Sequence, residues 1–337
     1  MQTILVTGAA GFIGSNFVRL LVSRRASAKI VALDKLTYCG NLANLQGVLS
    51  DRAVFVRGDI CDPDLVGAVC DEHQVTHIVN FAAETHVDRS ILGSGPFVQA
   101  NVVGTQVLLD IARARNVQRF LQVSTDEVYG TLPEDRPDIK FTEQTPLQPN
   151  SPYSASKAAG DCLVRAYFHT FKMPVLITRC SNNYGPYQFP EKLIPVVIQS
   201  VLARKPVPVY GDGMNVRDWL YVRDHAEALW LAATRGKPGE TYNIGGHNEW
   251  ANLRIVELIC DTIDEFMPQL GGNSRQLITF VKDRLGHDRR YAIDATKIQR
   301  ELGWTPAHKF EDGIRETVRW YLDHQAWVKT VLAKTKV

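Results

Sequence analysis

Three side chains that could move protons follow directly after a short apolar run. Residues 120–123 have the composition of a buried parallel strand, and Thr125, Asp126 and Glu127 come just after it. Open α/β sheets bind their ligands at the carboxyl ends of the strands. Two neighbouring carboxyl groups repel each other when both are ionised, so one can stay protonated as an acid while the other serves as a base. By itself the segment is typical of a solvated loop or a helix N-cap, and it is a candidate acid–base site only if other residues of the chain also point to chemistry.

A second candidate pair opens a predicted helix. Tyr153 and Lys157 are four residues apart and therefore share one helical face. An ammonium group beside a phenol stabilises the phenolate and lowers the phenol pKa from its ordinary value of about 10. This spacing alone is common and usually has no functional meaning, but at the start of a helix that follows a sheet with a glycine loop it predicts a proton-transfer pair in which the pKa of Tyr153 is lowered.

The N-terminal residues show the pattern of a dinucleotide-binding unit. The β-branched run Thr3–Thr7 leads into Gly8, Gly11 and Gly14 and then into a helical pattern. Glycines there allow close backbone approach, and the helix N-terminus offers free N–H groups to a pyrophosphate. Asp34 ends the next strand about 20 residues after Gly14, where a carboxylate accepts hydrogen bonds from the adenosine ribose. Because that carboxylate would repel a 2′-phosphate, the sequence predicts NAD rather than NADP.

Strand and helix patterns then alternate, which predicts an α/β fold with a Rossmann-like, doubly wound parallel sheet in an NAD-binding domain over residues 1–180. Residues 181–330 predict a smaller C-terminal α/β substrate lobe that is partly interleaved with the first. An amphipathic pattern over 97–115 predicts one long helix. Residues 131–152 predict a loop that is either a lid or a connector.

Charge and cysteine content exclude several classes of protein. The 337 residues carry 38 Lys and Arg against 36 Asp and Glu, so a net charge of +2 gives no reason to expect a nucleic-acid or membrane partner. The six cysteines show no C-x-x-C spacing and predict reduced, buried thiols without a metal site. No window approaches the ~18 apolar residues of a membrane span, and a cytoplasmic protein is expected.

Together these motifs resemble the extended short-chain dehydrogenase/reductase family and, within it, the dTDP-glucose 4,6-dehydratases. The segments that carry the resemblance are 7–17, 33–38, 124–130, 153–157, 179–187, 217–222 and 283–291. The glycine loop and the Tyr-x-x-x-Lys spacing are shared across the wider family. The Thr-Asp-Glu segment is the specific part, because related epimerases lack the Asp-Glu pair.

The resemblance implies a role for each candidate side chain. Tyr153 would take the proton of the sugar O4 while NAD accepts the C4 hydride, with Thr125 positioning O4 and Lys157 holding the ribose. Glu127 would remove the C5 proton and Asp126 would protonate the departing C6 hydroxyl. The hydride would then return to C6, so the cofactor would stay bound throughout.

The resemblance also implies two sets of ligand-binding residues. For NAD they are Gly8, Gly11, Phe12, Ile13, Gly14, Asp34, Lys35, Leu36, Thr37, Asp59, Ile60, Ala82, Ala83, Tyr153, Lys157 and Asn183. For the nucleotide sugar they are Thr85, Thr125, Asn182, Lys192, Leu193, Pro208, Tyr210, Arg217, Asn252, Asp283, Arg284 and His287.

Three alternatives remain open at this stage. A UDP-sugar 4,6-dehydratase and a nucleotide-sugar 4-epimerase belong to the same wider family, and a non-catalytic NAD-binding regulator is a more remote interpretation. The family also implies a homodimer. The apolar faces of the helices predicted over 97–115 and 153–170 could pair with their copies in a four-helix interface, but helices buried inside their own subunit would show the same pattern.

Overall fold

A central sheet organises the chain in the computed structural model, which describes residues 2–24, 28–283 and 288–333. The described strands are β1 (Thr3–Thr7), β2 (Lys29–Asp34), β3 (Ala53–Arg57), β4 (His77–Asn80), β5 (Arg119–Thr125), β6 (Val175–Cys180), β7 (Asn182–Tyr184), β8 (Val207–Tyr210), β9 (Val216–Tyr221), β10 (Thr241–Ile244), β11 (Glu249–Ala251) and β12 (Ile278–Val281). The described α-helices are α1 (Phe12–Ser23), α2 (Pro63–His73), α3 (Val87–Leu92), α4 (Gly95–Val98), α5 (Gly104–Ala114), α6 (Pro152–Phe171), α7 (Leu193–Leu202), α8 (Val222–Arg235), α9 (Asn252–Phe266), α10 (Thr296–Leu302), α11 (Phe310–Asp323) and α12 (Gln325–Ala333).

Seven strands form one parallel sheet in the order β10-β6-β5-β4-β1-β2-β3. The strand order reverses between β1 and β4, so the loops after these two strands diverge and leave a crevice at their carboxyl ends. The Rossmann-like fold class predicted from the sequence is confirmed.

Helices cover both faces of this sheet because its strands are buried on both sides. On β1, Ile4 and Val6 pack with Phe17 of α1 and Leu229 of α8. Leu5 points to the other face, into the apolar cluster that also contains residues of α2, α5 and α6. This alternation is the period of two that a strand imposes on its side chains.

The C-terminal residues build a second layer and also return to the first. Strands β11, β9 and β7 form a three-stranded sheet, and β12 pairs with β8. Their core contains Tyr184, Trp219 and Phe310. Strand β10, however, pairs with β6 at the edge of the large sheet, so the two lobes share an element.

Two expectations need correction, on the helix over 97–115 and on the cysteines, and one that was left open, on the loop 131–152, can be narrowed. The segment 97–115 is not one regular helix, because a π-helical turn over Gln99–Val103 separates α4 from α5. The loop 131–152 is fastened down, since the backbone N–H of Phe141 donates to the Ala292 carbonyl over 2.9 Å and Phe141 itself is buried; this favours the connector over the lid. The six cysteines are free thiols, but Cys162 is exposed and Cys39 and Cys61 are only partly buried.

Within the described residues no helix has the length and apolar content needed to cross a membrane.

A buried ion pair connects helix α6 to the sheet. Arg179 of β6 donates from Nε to Asp161 Oδ2 of α6 over 2.9 Å, and only 8% and 1% of the two side chains is exposed. The Nη1 of Arg179 also donates to the Tyr129 hydroxyl over 3.0 Å, and Tyr129 donates onward to Asn243 over 2.8 Å. The network therefore joins α6, β6, β10 and the segment that follows β5.

Replacing Arg179 with Met should destabilise the protein strongly. The change leaves the Asp161 carboxylate buried without its cation, which ordinarily costs about 3–5 kcal/mol. Urea unfolding followed by circular dichroism measures the loss. Arg315→Met is the matched control, because its pair with Glu265 is exposed and should leave the unfolding midpoint almost unchanged. Equal midpoint shifts in the two variants would show that the buried pair contributes nothing special.

Candidate active site

A cavity of about 410 Å³ opens at the carboxyl ends of the parallel strands, where the crevice between β1 and β4 lies. Its lining combines the glycine loop after β1, the ends of β2, β4, β5 and β6, the first turns of α6, and residues 180–192 of the second lobe. The cavity thus brings the predicted cofactor and proton-transfer groups together in one space.

The glycine loop has room for backbone but not for side chains. Gly8 has a φ of +62°, and a Cβ added there would lie 2.7 Å from the backbone nitrogen of Ala82. A Cβ at Gly14 would lie 2.3 Å from the Gly8 carbonyl oxygen. Because α1 begins at Phe12, its unpaired N–H groups face the loop. The loop fits a pyrophosphate that approaches the backbone closely.

Asp34 is held by two backbone donors at the end of β2. Its Oδ2 accepts from the N–H of Ala10 over 2.9 Å, and its Oδ1 accepts from the N–H of Leu36 over 2.7 Å. Burial raises the pKa of Asp34, and these two hydrogen bonds oppose the rise. The neighbouring Lys35 contacts Asp59 over 2.6 Å, so its charge is already compensated. Both features suit a free ribose hydroxyl better than a phosphate, in agreement with the predicted NAD.

The π-helical turn places Asn101 where it hydrogen-bonds to two other segments of the site. Asn101, in this turn, accepts at Oδ1 from the Glu84 N–H over 2.9 Å and donates from Nδ2 to the Glu84 carbonyl over 3.0 Å. Nδ2 also donates to Ser156 of α6 over 2.8 Å. The wider turn therefore fixes the loop after β4 against α6, as π-helical turns at functional sites often do.

Asp126 lies in an unusual environment for a carboxyl group. Only 1% of it is exposed, and its Oδ2 has no hydrogen-bond partner among the described residues. Its Oδ1 accepts a long hydrogen bond, 3.4 Å, from the Thr125 hydroxyl. Burial raises the pKa of Asp126 well above the ordinary Asp value, and the nearby Glu127 and Asp218 charges raise it further. The raised pKa favours the protonated form, which can donate a proton.

The prediction that the Tyr153 phenol is acidified is wrong for this structure. Burial raises the pKa of Tyr153 well above 10.0, and Glu127, Cys180 and Asp126 add to the rise. Lys157 is also buried, which lowers its pKa, and its Nζ donates to the Val123 carbonyl over 2.7 Å. Desolvation and carboxyl neighbours, which helical spacing cannot reveal, outweigh the ammonium group.

The lining holds most of the residues implied by the resemblance. Of the NAD set only Leu36 is missing from it, because its contribution is the N–H that holds Asp34. Of the nucleotide-sugar set, the lining contains Thr85, Thr125, Asn182 and Lys192. Among the described residues, no cluster of three potential metal-ligating side chains occurs.

The other described residues of the nucleotide-sugar set belong to the second lobe and do not line this cavity. Around the end of β8, Tyr210 pairs with Val281, and the Asn252 N–H donates to Asn215 over 3.0 Å. Buried Arg217 donates to the carbonyl of Asp288 over 2.7 Å. Three more residues of the set are in this lobe, namely Leu193, Pro208 and Asp283. Two others, Arg284 and His287, lie outside the described residues.

The sequence reasoning missed further cavity-lining residues, among them Ser124, Cys180, Glu84 and Glu191. Ser124 and Cys180 follow from the rule that ligands bind at the carboxyl ends of strands, since they lie at the ends of β5 and β6. Glu84 and Glu191 lie in irregular loops, and no sequence pattern predicts that they line the cavity.

Comparison with known proteins agrees with this geometry. Residues 5–317 match the family described as GDP-mannose 4,6 dehydratase. The dTDP-glucose 4,6-dehydratase of Xanthomonas campestris pv. campestris is 56% identical over 98% of this chain and 96% of its own length. The dTDP-glucose 4,6-dehydratase 1 of Escherichia coli K12 is 52% identical over 97% and 95%.

Solved structures show the same relationship. The dTDP-glucose 4,6-dehydratase of Streptomyces venezuelae with NAD and TYD (dTDP) bound has a TM-score of 0.90 at 45% identity, covering 98% of this chain and 100% of that one. A UDP-glucose 4-epimerase of Thermus thermophilus in complex with NAD reaches 0.85 at 29% identity, covering 96% and 100%. The fold and the site define a nucleotide-sugar enzyme of the extended short-chain dehydrogenase/reductase class. The chain belongs to the GDP-mannose 4,6 dehydratase family, together with the dTDP-glucose 4,6-dehydratases.

The burial of Asp126 should be visible in the pH dependence of stability. Because the folded protein holds this proton more tightly than the unfolded chain does, stability falls as pH rises from the unfolded Asp pKa of 3.8 toward the raised pKa of Asp126. Asp126→Asn removes this fall while keeping the shape of the side chain. The free energy of unfolding of the variant relative to the wild type should therefore be higher at pH 8 than at pH 5.

Urea unfolding at pH 5 and at pH 8 measures the effect. Asp71→Asn serves as the control, since Asp71 is exposed and its pKa is lowered by Arg115, so this variant should show no gain at pH 8. A stability difference between Asp126→Asn and wild type that does not grow with pH would mean that the Asp126 pKa is not raised.

Proposed function

We propose that this protein converts dTDP-glucose into dTDP-4-keto-6-deoxyglucose and water, by oxidation at C4, elimination across C5 and C6, and hydride return to C6. One observation carries the proposal: a fully buried carboxyl group, Asp126, adjoins a second carboxyl group and a buried phenol in the cavity that also contains the dinucleotide loop, and burial raises the pKa of Asp126 well above its ordinary value. The relatives named above, at 52–56% identity, support the thymidine nucleotide.

NAD fits the residues present. The cradle formed by Gly8 and Gly14 excludes side chains, and Asp34 ends β2 in the cavity beside it. When bound, NAD supplies an oxidised ring that takes up a hydride, gives it back later, and carries a positive charge while oxidised. The glycine loop would hold its pyrophosphate, Asp34 its ribose hydroxyls, and Lys157 the second ribose.

We assign removal of the O4 proton to Tyr153, with Thr125 positioning the hydroxyl. Tyr153 is near the N-terminus of α6, which the reciprocal hydrogen bonds of Ser151 and Ser154 cap. Its N–H donates to the Ser90 hydroxyl over 3.2 Å. Since burial raises the pKa of Tyr153, forming the phenolate requires positive charge in the cavity, and Lys157 is the buried cation that this chain contributes.

We assign the elimination to the two carboxyl groups. The 4-ketone acidifies the C5 hydrogen, which Glu127 removes, while Asp126 gives its proton to the departing C6 hydroxyl. When the hydride returns to C6, a proton returns to C5, which completes the 4-keto-6-deoxy product. Glu127 is half-buried and Asp126 is fully buried. Different environments for two adjacent carboxyl groups are what separate a base from an acid.

The reaction of a 4-epimerase does not require the adjacent carboxyl groups of Asp126 and Glu127. It returns the hydride to the carbon from which it came and expels no hydroxyl, so it needs no protonated carboxyl group. The cost of burying Asp126 also argues against a regulator that performs no chemistry, because such a protein would gain nothing from it.

The activity test uses the purified protein without added reductant. We expect dTDP-glucose to give a product that has lost one water by mass and absorbs in alkali as a 4-keto-6-deoxy sugar, and UDP-glucose to give far less. The double variant Asp126→Asn, Glu127→Gln should bind NAD but form product at least about 10³-fold more slowly, since general acid and base catalysis each contribute roughly 10²–10⁴. Equal turnover of UDP-glucose would contradict the base preference, and no product from either sugar would contradict the dehydration.

We also propose a homodimer, formed through α6. Ala155, Cys162 and Ala166 are exposed and lie on one face of this helix, where small side chains let two helices approach each other. Such an isologous contact is the usual basis of a two-fold dimer. We further propose that the protein is cytoplasmic, which the free thiols support.

Ala166→Arg should disrupt the dimer, because it places a large cation at the contact between the two helices. Light scattering after gel filtration should give wild type twice the chain mass of 37.7 kDa and the variant that mass once. Thr234→Arg, an exposed change on α8, is the control and should stay dimeric. A monomeric wild type, or an unchanged Ala166→Arg mass, would refute the interface.

A further inference from the structure

One carboxylate at the cavity connects its own segment, just before α7, to the segments that follow β2 and β4. Glu191, just before α7, accepts at Oε1 from the Tyr38 hydroxyl over 3.0 Å. At Oε2 it contacts Arg89 Nη2 over 3.4 Å and His86 Nε2 over 3.7 Å. Tyr38 follows β2, whereas His86 and Arg89 follow β4. We call these four residues the Glu191 clasp.

Aromatic contacts reinforce the clasp. The Arg89 guanidinium lies 3.7 Å from the centre of the Tyr38 ring, and Phe189 meets the same ring edge-on at 5.5 Å. Tyr38 is therefore held by a cation, an aromatic ring and a carboxylate together. Cation–π and charge-assisted contacts of this kind favour a single geometry over a mobile loop.

The clasp closes around the cavity that holds the dinucleotide loop. Thr37 and Cys39, on either side of Tyr38, line the cavity, as do Thr85, just before His86, and Glu191 itself. In the large sheet β2 and β4 flank β1 on opposite sides, so their loops flank the glycine loop. Glu191 comes from the second lobe and fastens to both of them.

We propose that Glu191 is a positioning residue that retains the cofactor, and that the clasp must open before NAD can leave. The value of such retention rests on the proposed function, because a cofactor that is reduced and reoxidised within one turnover must not escape while reduced. None of the steps assigned above uses Glu191. Side-chain contacts between the lobes are the means by which this chain can slow release without touching the reacting atoms.

The test measures exchange of bound NAD rather than activity. Holoenzyme is mixed with excess isotopically labelled NAD, and mass spectrometry of the protein-bound fraction gives the exchange rate. Glu191→Ala should exchange about tenfold or more faster than wild type, because losing contacts to a charged group is typically worth a factor of this order. Glu191→Gln, which can still accept from Tyr38 but has lost the charge, should lie between the two.

Glu265→Ala is the matched control, since it removes a carboxylate from an exposed bidentate pair with Arg315 that joins α9 to α11. This control should exchange at the wild-type rate. Tyr38→Phe should accelerate exchange, and combining it with Glu191→Ala should add little, because both changes open the same clasp.

Wild-type exchange rates in Glu191→Ala and Tyr38→Phe would overturn the proposal. A second result would also overturn it: Glu191→Ala exchanges faster but also has a lowered unfolding midpoint, while Glu191→Gln exchanges at the wild-type rate. The faster exchange would then reflect a general destabilisation of the fold. The exchange assay needs no sugar nucleotide. It can therefore fail or succeed independently of the dTDP-glucose assay.

Discussion

The buried ion pair between Arg179 and Asp161 fixes the geometry on which the proposed chemistry depends. It ties α6, which carries Tyr153 and Lys157, to β6 of the large sheet. Through the Tyr129 hydroxyl the same guanidinium also reaches the segment that begins with Asp126. A buried pair of this kind adds little net stability compared with apolar residues, but breaking it is costly. Its role is therefore positional: the phenol and the carboxyl group are attached to one rigid frame.

Burial then sets the proton affinities within that frame. The pKa values of Asp126 and Tyr153 are both raised, chiefly by desolvation. For Asp126 the raised pKa suits the proposed role, because a protonated carboxyl group can donate to a leaving hydroxyl. For Tyr153 it is an obstacle to forming the phenolate, which positive charge in the cavity has to offset. The site is thus destabilising for the folded protein in the way that functional sites often are.

Local patterns in the sequence were enough to predict the framework. The predicted run Thr3–Thr7 coincides with β1 because a β-branched run that leads into glycines is a local signal. The glycine loop and Asp34 were predictable because their spacing is dictated by the ligand. The π-helical turn at Asn101 and the raised pKa of Tyr153 were not, since both depend on groups brought together only by the fold. For the same reason, no pattern revealed that Glu191 contacts loops more than 100 residues away.

The central claim is that the redox change is internal to each turnover. The most direct test follows deuterium placed at C4 of dTDP-glucose, with no cofactor added to the purified protein and a known excess of substrate over protein. The proposed mechanism predicts that the 4-keto-6-deoxy product keeps that deuterium, now at C6, after many turnovers. Loss of the label to solvent, or product formation that stops after one equivalent, would contradict the account, because the hydride would then not return to the molecule from which it came.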